Sequence, residues 1–239
     1  MSAGYLRGNE GKGHMDAEVS ALVEDVRKDL QPVNARILNH AYIQAVQAGR
    51  IGREQLQLFA TQQSHIIESD LRSVALMVSR ASSERSRGFF MEFLEGERAA
   101  LQALNRFAAV VGTGSLPPAA DEPLPGAFAY SAFVAWLSLY ASEAEFAGAF
   151  LINLPVWGAN CARMAKALPG NYGLAEEDVA FFTLFATAPP GFEERAAAVV
   201  AEGMSHREAP RRIRRAAALL QGYELLFWDT MAQASMLGT

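Results

Sequence analysis

Apolar residues recur at the spacing of an α-helix along almost the whole chain, and this periodicity limits the possible folds more than any other feature. The clearest stretch runs from Arg53 to Ala81, where one face carries Leu56, Phe59, Ala60, Gln63, Ile67, Leu71, Val74 and Val78. Such spacing places apolar side chains on the face of a helix that packs against a core. Alternating β-branched residues, which would indicate strands, are nearly absent. The sequence therefore predicts an all-α protein.

Prolines and glycines divide this pattern into eight or nine helices of one helical bundle. A second short helix is predicted across Ile37 to Val46, a loop over Thr113–Gly126 and a turn over Pro169–Gly173. The same Ala-rich helical pattern lies on both sides of the loop. We therefore predict a single domain over residues 16–239, preceded by a disordered leader at residues 1–15.

Charge and composition exclude several classes of protein. The chain has 21 Lys and Arg against 26 Asp and Glu, a formal charge of −5 that disfavours nucleic-acid binding. No apolar run reaches the roughly 18 residues of a membrane span. The polar leader lacks the apolar core of a signal peptide, which favours a cytoplasmic location. The single cysteine, Cys161, excludes an internal disulfide and is interpreted as a small buried hydrophobe.

Metal and nucleotide motifs are missing from the sequence. The four histidines are His14, His40, His65 and His206, and none forms an E-x-x-H motif or an i, i+4 pair. No glycine-rich phosphate-binding motif occurs either. We therefore predict neither a metal nor a cofactor. The basic cluster that opens the last helix is interpreted as a solvated face or a subunit contact.

Three helical segments place polar side chains among apolar ones. They are Gln62–His65, the surroundings of Asn153, and Tyr223–Asp229, which includes Glu224. A buried polar group costs free energy unless it is paired, so each segment is a candidate wall of a pocket. Each also fits a structural role, as a paired core residue, a cap before Pro155 or the wet edge of a helix.

These segments, taken in order, resemble the TenA family, the thiaminase II-like proteins with a haem-oxygenase-like fold. Tyr223–Ala232 is close to the family pattern Y-E-x-x-F-W-D-x-M-A and is the most specific match. Asn39–Phe59 resembles the opening H-P-F segment, Phe128–Ser131 resembles x-x-Y-T, and Ala141–Ala149 resembles G-x-x-x-E-x-x-A-A. The resemblance spans about His40 to Ala232 and implies a pocket for an aminopyrimidine.

The resemblance also implies roles for single residues. Glu224 matches the pocket glutamate and Tyr130 a pocket tyrosine. Four further positions depart from the family residue: Gln63 stands in place of an aspartate, His65 where an aromatic residue is common, Asn153 in place of the nucleophilic cysteine, and Trp157 in place of a tyrosine. Phe181 or Phe182 is expected to add an aromatic ring, and Phe227 to surround Glu224. Asn is not a nucleophile, so ordinary thiaminase chemistry is not expected.

Two principal functions and a third alternative follow from this interpretation. The first is an enzyme that hydrolyses an aminopyrimidine or related heteroaromatic amine in thiamin salvage, with Glu224 as acid and base. The second is a ligand-binding or regulatory protein of the same fold without turnover. The third is a haem-oxygenase-like oxidase that acts on another small molecule. The resemblance further implies a homodimer or homotetramer.

Overall fold

The computed structural model describes residues 17–112, 122–204 and 209–236. The predicted leader, His14, His206 and most of the predicted loop at Thr113–Gly126 lie outside these residues. Every regular element in the described part is helical, so the all-α prediction is confirmed. None of the described helices is both long enough and apolar enough to cross a membrane.

The described helices follow one another along the chain. They are α1 (residues 17–29), α2 (Gln31–Leu38), α3 (Ala41–Gln47), α4 (Arg53–Arg80), α5 (Glu84–Val111), α6 (Pro125–Tyr140), α7 (Glu143–Tyr172), α8 (Ala180–Ala186), α9 (Phe192–Gly203) and α10 (Ala209–Met236). A 3-10 turn at Glu176–Val179 leads into α8. The long helices α4, α5, α6, α7 and α10 form the bundle, with α4 against α5 and α6, and α10 against α6 and α7.

Local sequence signals set the start of several helices. Ser83 caps α5 by accepting a hydrogen bond from the backbone N–H of Ser86 at 3.0 Å. Ser142 and Glu145 form a reciprocal capping box at the start of α7. Glu145 lies in the segment that resembles the family pattern G-x-x-x-E-x-x-A-A, and its described contacts are those of a helix cap.

The predicted helix across Ile37 to Val46 is wrong, because α2 ends at Leu38 and α3 begins at Ala41. His40 separates the two helices. Its Nδ1 accepts a hydrogen bond from the N–H of Tyr42 at 3.2 Å, and its Nε2 lies 3.0 Å from Oδ1 of Asp229. Since Nδ1 is an acceptor, the proton is on Nε2, which donates to Asp229. The hydrogen bond from His40 to Asp229 on α10 therefore stabilises the break between α2 and α3.

The predicted turn at Pro169–Gly173 is also wrong, since α7 continues through Pro169 to Tyr172. Gly173 then ends the helix in the left-handed conformation, at φ 67°. The last turn is held by α3 and the residues that follow it. Asn171 donates to the carbonyl of Gln47 at 2.9 Å, and the Tyr172 hydroxyl accepts from the N–H of Ile51 at 3.2 Å. These bonds offset the hydrogen bond that proline cannot make.

Two aromatic clusters fill the interior. The first joins α5, α7 and α9 through Phe89, Phe90, Phe93, Phe146, Phe150 and Phe192. The second joins α4, α5, α8 and α10 through Phe59, Phe107, Phe181, Phe182, Phe227 and Trp228. Most of these rings meet edge to face, which favours their quadrupoles. A small, mainly apolar cavity lies near the junction of the two clusters and includes Phe150 of the first and Phe227 of the second.

Candidate active site

An inner cavity of about 50 Å³ lies between α4, α5, α6, α7 and α10. Its lining includes side chains from all five helices and one from α8. The lining residues are Gln63, Ile66, Ile67, Asp70, Glu97, Tyr130, Phe150, Leu154, Trp157, Phe185, Glu224 and Phe227. The cavity is therefore apolar and aromatic, with a few polar groups that converge on it, as is usual for a small-molecule site.

One side of the cavity carries the carboxyl group of Glu224, which is 1% exposed. Its Oε2 accepts a hydrogen bond from Nδ2 of Asn153 at 2.7 Å, and its Oε1 accepts one from the indole N–H of Trp228 at 3.1 Å. Both oxygens are thus held in place by neighbouring donors. The two hydrogen bonds therefore hold the Glu224 carboxyl group in a single orientation at the cavity.

The amide of Asn153 connects Glu224 to a larger network. The hydroxyl of Tyr130 donates to Asn153 Oδ1 at 2.8 Å, and Asn153 Nδ2 also lies 2.6 Å from Oε1 of Gln221. Gln221 in turn donates to the side chain of Asn34. We call the five residues Tyr130, Asn153, Gln221, Glu224 and Trp228 the paired wall, because their side-chain polar groups satisfy one another.

Burial changes the acidity of Glu224. Desolvation raises the pKa of this carboxyl group to about 8, although the hydrogen bonds from Trp228 and Asn153 lower it. Near neutral pH the protonated form is therefore the larger fraction. A carboxyl group with a pKa this close to the working pH can both release and accept a proton during a reaction.

Helices α4 and α5 contribute three further polar residues to the lining, Gln63 and Asp70 from α4 and Glu97 from α5, which we call the acidic wall. Gln63 and Asp70 are each 4% exposed, and Glu97 is half-buried. Oδ1 of Asp70 accepts a hydrogen bond from the hydroxyl of Ser131 at 2.8 Å. The side chains of Gln63 and Glu97 make no hydrogen bond or ion pair with any described residue.

Two carboxyl groups in one apolar cavity oppose each other's ionisation. Desolvation raises the pKa of Asp70 to about 7, against the hydrogen bond from Ser131. Desolvation and the nearby charge of Asp70 raise the pKa of Glu97 to about 8. Burial also raises the pKa of the Tyr130 hydroxyl well above its usual range, and the charges of Asp70, Glu224 and Glu97 add to this effect. The Tyr130 hydroxyl therefore stays protonated.

Aromatic side chains form the remaining surfaces of the cavity. Trp157 stacks on Trp228 with ring centroids 5.3 Å apart and meets Phe227 at 69°. Phe185 packs edge-on against Trp157 at 6.1 Å. Its backbone carbonyl approaches α7 at Gly158, where an added Cβ would lie 2.5 Å from the carbonyl oxygen. Gly158 thus permits the close contact that places Phe185 at the cavity.

A larger outer groove of about 470 Å³ adjoins the inner cavity. Glu97, Leu154 and Phe185 line both spaces, so they form the boundary between them. The groove contains mainly apolar side chains from α5, α7 and α8, with Glu92 and Arg195 paired at 2.6 Å. Its volume lies within the range of about 300–1,000 Å³ that is common for ligand pockets.

Five of the predicted site residues line the inner cavity together: Gln63, Tyr130, Trp157, Glu224 and Phe227. Asn153 lies directly behind them in the paired wall. His65 is half-buried elsewhere on α4, and Phe181 is fully buried within the second aromatic cluster. Neither of these two residues lines the cavity, and Phe185, one turn after Phe181, takes the expected aromatic position.

Sequence reasoning missed Asp70, Glu97 and Phe185. Asp70 follows Gln63 by seven residues, two helical turns along the same face of α4, and this spacing was the available signal. Glu97 had no such signal, because α5 also contains Glu92 and Glu95 on its solvent side. Glu97 faces the cavity, unlike Glu92 and Glu95, only because of the way α5 packs against α4.

The single cysteine and the two described histidines lie outside the lining of the inner cavity. Cys161 is fully buried and free, and desolvation raises the pKa of its thiol, so it lacks the character of a nucleophile. Neither His40 nor His65 lines the inner cavity, so the cavity offers no histidine ligand for haem. Among the described residues, no group of three or more His, Cys, Asp or Glu is placed to hold a metal ion.

A model of the TENA/THI-4/PQQC family matches residues 27–234 of the chain. This match covers most of the sequence, including every residue of both cavity walls. No curated protein sequence gives a significant match.

Several solved structures share the fold. A TenA homolog from Pseudomonas syringae pv. tomato is 15% identical with a TM-score of 0.74, over 89% of this chain and 93% of that one. A putative TenA-like thiaminase from Sulfolobus solfataricus is 11% identical with a TM-score of 0.63, over 89% and 96%. Haem oxygenase-1 from the cyanobacterium Synechocystis, in complex with haem, is 12% identical with a TM-score of 0.65, over 91% and 95%. The haem-oxygenase-like fold predicted for the chain is confirmed.

Proposed function

The chain belongs to the TENA/THI-4/PQQC family, and on this premise we propose that its inner cavity binds a small heteroaromatic amine and hydrolyses it. An aminopyrimidine of thiamin salvage is the proposed substrate, and Glu224 is the proposed catalytic acid and base. The observation that carries the proposal is the buried Glu224 carboxyl group, held by Asn153 and Trp228 in an aromatic cavity.

Recognition rests on the two oxygens of Glu224. A protonated carboxyl group has an O–H donor and a carbonyl acceptor side by side. An aminopyrimidine has the matching pair, a ring nitrogen that accepts and an amino group that donates. Burial raises the pKa of Glu224 to about 8, so the protonated form needed for this pairing prevails near neutral pH. The rings of Trp157 and Phe227 supply flat surfaces for the pyrimidine.

The same carboxyl group serves the proposed hydrolysis. Its proton passes to a ring nitrogen, which makes the carbon that bears the amine more electrophilic. Water adds to that carbon, and one of the water protons returns to the Glu224 carboxylate. Glu224 then protonates the amine nitrogen, the C–N bond breaks, and ammonia leaves. The adduct's remaining hydroxyl proton restores the carboxyl group, so one water is consumed for each amine released.

Water is the nucleophile in this proposal because no suitable thiol faces the cavity. Asn153 stands at the position that the resemblance gives to the family cysteine, and its amide holds Glu224 instead. Cys161, the single cysteine, is buried outside the lining. In this proposal the Glu224 carboxyl group therefore carries out each proton transfer of the hydrolysis.

Entry of a ring requires movement at the boundary between the two spaces. The inner cavity of about 50 Å³ has room for one or two molecules the size of water, each of which fills about 30 Å³ of the liquid. Phe185 borders both the cavity and the outer groove, and it is half-buried. Rotation of Phe185 would join the two spaces, with the polar edge of the ligand inside and its body in the groove.

A mass-spectrometric assay tests this function. The purified protein is incubated with thiamin, with aminomethyl-pyrimidine and with formylaminomethyl-pyrimidine, beside the variants Glu224→Gln and Glu95→Gln. Glu95 is an exposed residue of α5 that pairs with Arg98, so it serves as the matched control. We expect hydrolysis by the wild type and the control, and a rate at least 100-fold lower in Glu224→Gln. Equal rates in all three proteins would contradict the role of Glu224.

Ligand binding without turnover is the second candidate function. It is favoured by the hydrogen bonds that already occupy both oxygens of Glu224, since these stabilise the carboxylate form and oppose its uptake of a proton from the attacking water. The same assay separates the two functions. A pyrimidine that is retained by the wild type and recovered unchanged would support binding alone.

A further inference from the structure

Three side-chain amides, which we call the amide chain, connect the buried carboxyl group of Glu224 with the outside of the bundle. Its members, in order from Glu224, are Asn153, Gln221 and Asn34. We propose that Gln221 and Asn34 are positioning residues, which orient the Asn153 amide so that its NH₂ group faces the catalytic carboxyl group. The inference rests on the proposed function, in which Glu224 is the catalytic group, and it extends the control of that group beyond the cavity.

The contacts of the amide chain are short and run from α10 and α7 to α2. Nδ2 of Asn153 lies 2.7 Å from Oε2 of Glu224 and 2.6 Å from Oε1 of Gln221. The NH₂ group of Gln221 donates to Oδ1 of Asn34. Asn153 and Gln221 are buried, whereas Asn34 is half-buried. The amide chain therefore joins the catalytic carboxyl group to a residue that solvent can reach.

The direction of each amide follows from the direction of its neighbour, because an amide has an acceptor oxygen on one side and a donor NH₂ group on the other. Since Asn34 offers its oxygen, Gln221 turns its NH₂ group outward and its own oxygen inward. That inner oxygen needs a donor, and the NH₂ group of Asn153 supplies it. The same NH₂ group then faces Glu224, and the oxygen of Asn153 accepts from the hydroxyl of Tyr130.

The reversed arrangement of the amide chain would suit a different state of Glu224. With its oxygen toward Glu224, Asn153 would accept a hydrogen bond from the protonated carboxyl group, and the carboxylate would lose a donor. The indole N–H of Trp228 has no such alternative, because it is a donor only. The orientation of the Asn153 amide therefore influences how readily Glu224 releases its proton.

The expected direction of this influence follows from the causes of the Glu224 pKa. Desolvation raises this pKa to about 8, and the hydrogen bonds from Trp228 and Asn153 lower it. Loss of the Asn153 donor should therefore raise it further. The other titratable groups near Glu224 come from four neighbouring helices and are Asp70 on α4, Glu97 on α5, Tyr130 on α6 and Cys161 on α7. None of these groups belongs to the amide chain, so variants of Gln221 or Asn34 leave them in place.

Titration of the Glu224 carboxyl group by NMR tests the inference without any ligand. The protein contains glutamate labelled with ¹³C at Cδ, and the Glu224 resonance is identified by its absence from Glu224→Gln. The variants are Asn34→Leu, which removes the acceptor for Gln221, Asn34→Asp, which retains that acceptor, and Gln221→Leu. The control Gln31→Leu introduces the same side chain at an exposed position of α2. Asn34 is half-buried, so its two variants serve even if Gln221→Leu folds poorly.

We expect the midpoint of the Glu224 titration to rise by at least about 0.5 pH unit in Asn34→Leu and in Gln221→Leu, a roughly threefold gain in proton affinity. Without the outer acceptor, the amides of Gln221 and Asn153 can turn, and the carboxylate loses its donor. Asn34→Asp should shift the midpoint by less than half as much, and the control should leave it unchanged. A smaller or opposite shift in Asn34→Leu, or a shift in Asn34→Asp of half its size or more, would overturn the inference.

A double variant separates positioning from a merely structural role. Because the proposed effect passes through Asn153, adding Asn34→Leu to the Asn153→Leu background should not shift the midpoint further, and additive shifts would overturn the inference. A structural role alone would lower the free energy of unfolding without a change in the midpoint. None of these titrations involves a substrate, so an absence of hydrolysis would contradict the proposed function while the titrations decide this inference separately.

Discussion

The two walls of the inner cavity use similar residues but differ in how their polar groups are satisfied. In the paired wall, Glu224 receives hydrogen bonds from Asn153 and Trp228. In the acidic wall, Gln63 and Glu97 have no described partner. The first arrangement holds a carboxyl group in one position, whereas the second leaves polar atoms without a protein partner at the cavity. A carboxyl group at a cavity that has no hydrogen-bond partner in the protein therefore indicates ligand binding more directly than one whose oxygens are already paired.

Substitution in the paired wall should have the largest effect on stability. Asn153→Leu removes the acceptor of the Tyr130 hydroxyl and the donor to Glu224, and leaves both groups buried without that partner. We expect a loss of about 3 kcal/mol in the free energy of unfolding, because an unsatisfied buried polar group costs about 1–3 kcal/mol. Urea unfolding at pH 7 measures this value. A loss below about 1 kcal/mol would mean that the wall is not a cooperative network.

Raising the pH should weaken the folded state. The pKa of Asp70 is about 7 and that of Glu224 about 8, both above the values near 4 of an unfolded chain. The folded state therefore binds more protons between pH 5 and 8, and stability falls as pH rises through this window. We expect a loss on the order of 2 kcal/mol between pH 5 and 9, measured by urea unfolding across the range. Stability that rises over the same window would contradict the burial of these acids.

Substitution in the acidic wall should act in the opposite direction from substitution in the paired wall. At pH 8, Glu97→Gln removes an ionisable group that has no described partner, and we expect a gain of about 1 kcal/mol in the free energy of unfolding. Thermal unfolding beside the control Glu95→Gln measures the change. Destabilisation by Glu97→Gln alone would show that Glu97 has a structural partner after all.

The smallest effect on stability is expected at Gln63. Gln63→Leu replaces an unpaired buried amide with an apolar side chain of similar size, so the free energy of unfolding should change by less than about 0.5 kcal/mol. Binding of aminopyrimidine probes should weaken severalfold in calorimetry, because the variant loses a donor and an acceptor. A large loss of stability together with unchanged affinity would reverse the assignment of Gln63 to the ligand.

Much of the site could be predicted from the sequence because the residues that share one face of a helix recur at a regular spacing. The face of α4 that carries Gln63 and the motif around Glu224 on α10 are both local patterns, and both residues line the cavity. The helix break at His40 was not accessible, since it depends on Asp229, 189 residues away. The register of the aromatic position was missed for a related reason. Phe181 and Phe185 share a face of α8, and only the contact at Gly158 selects the second.

The acidic wall shows the limit of sequence reasoning most clearly. Glu92, Glu95 and Glu97 lie within six positions of α5, and all three are typical of a solvated helix face. The packing of α5 on α4 turns Glu97 toward Asp70, and the first two toward Arg195 and Arg98. Which glutamate of α5 faces α4 depends on the rotation of the helix about its own axis, and the pattern of polar residues does not specify that rotation.

The most direct test of the account is a crystal structure of the protein soaked with 4-amino-5-(aminomethyl)pyrimidine. We predict density for the amino group and a ring nitrogen of the probe within about 3 Å of Glu224, and density for the rest of the ring in the outer groove. A probe that binds only in the outer groove, without contact to Glu224, would contradict the proposed role of the inner cavity.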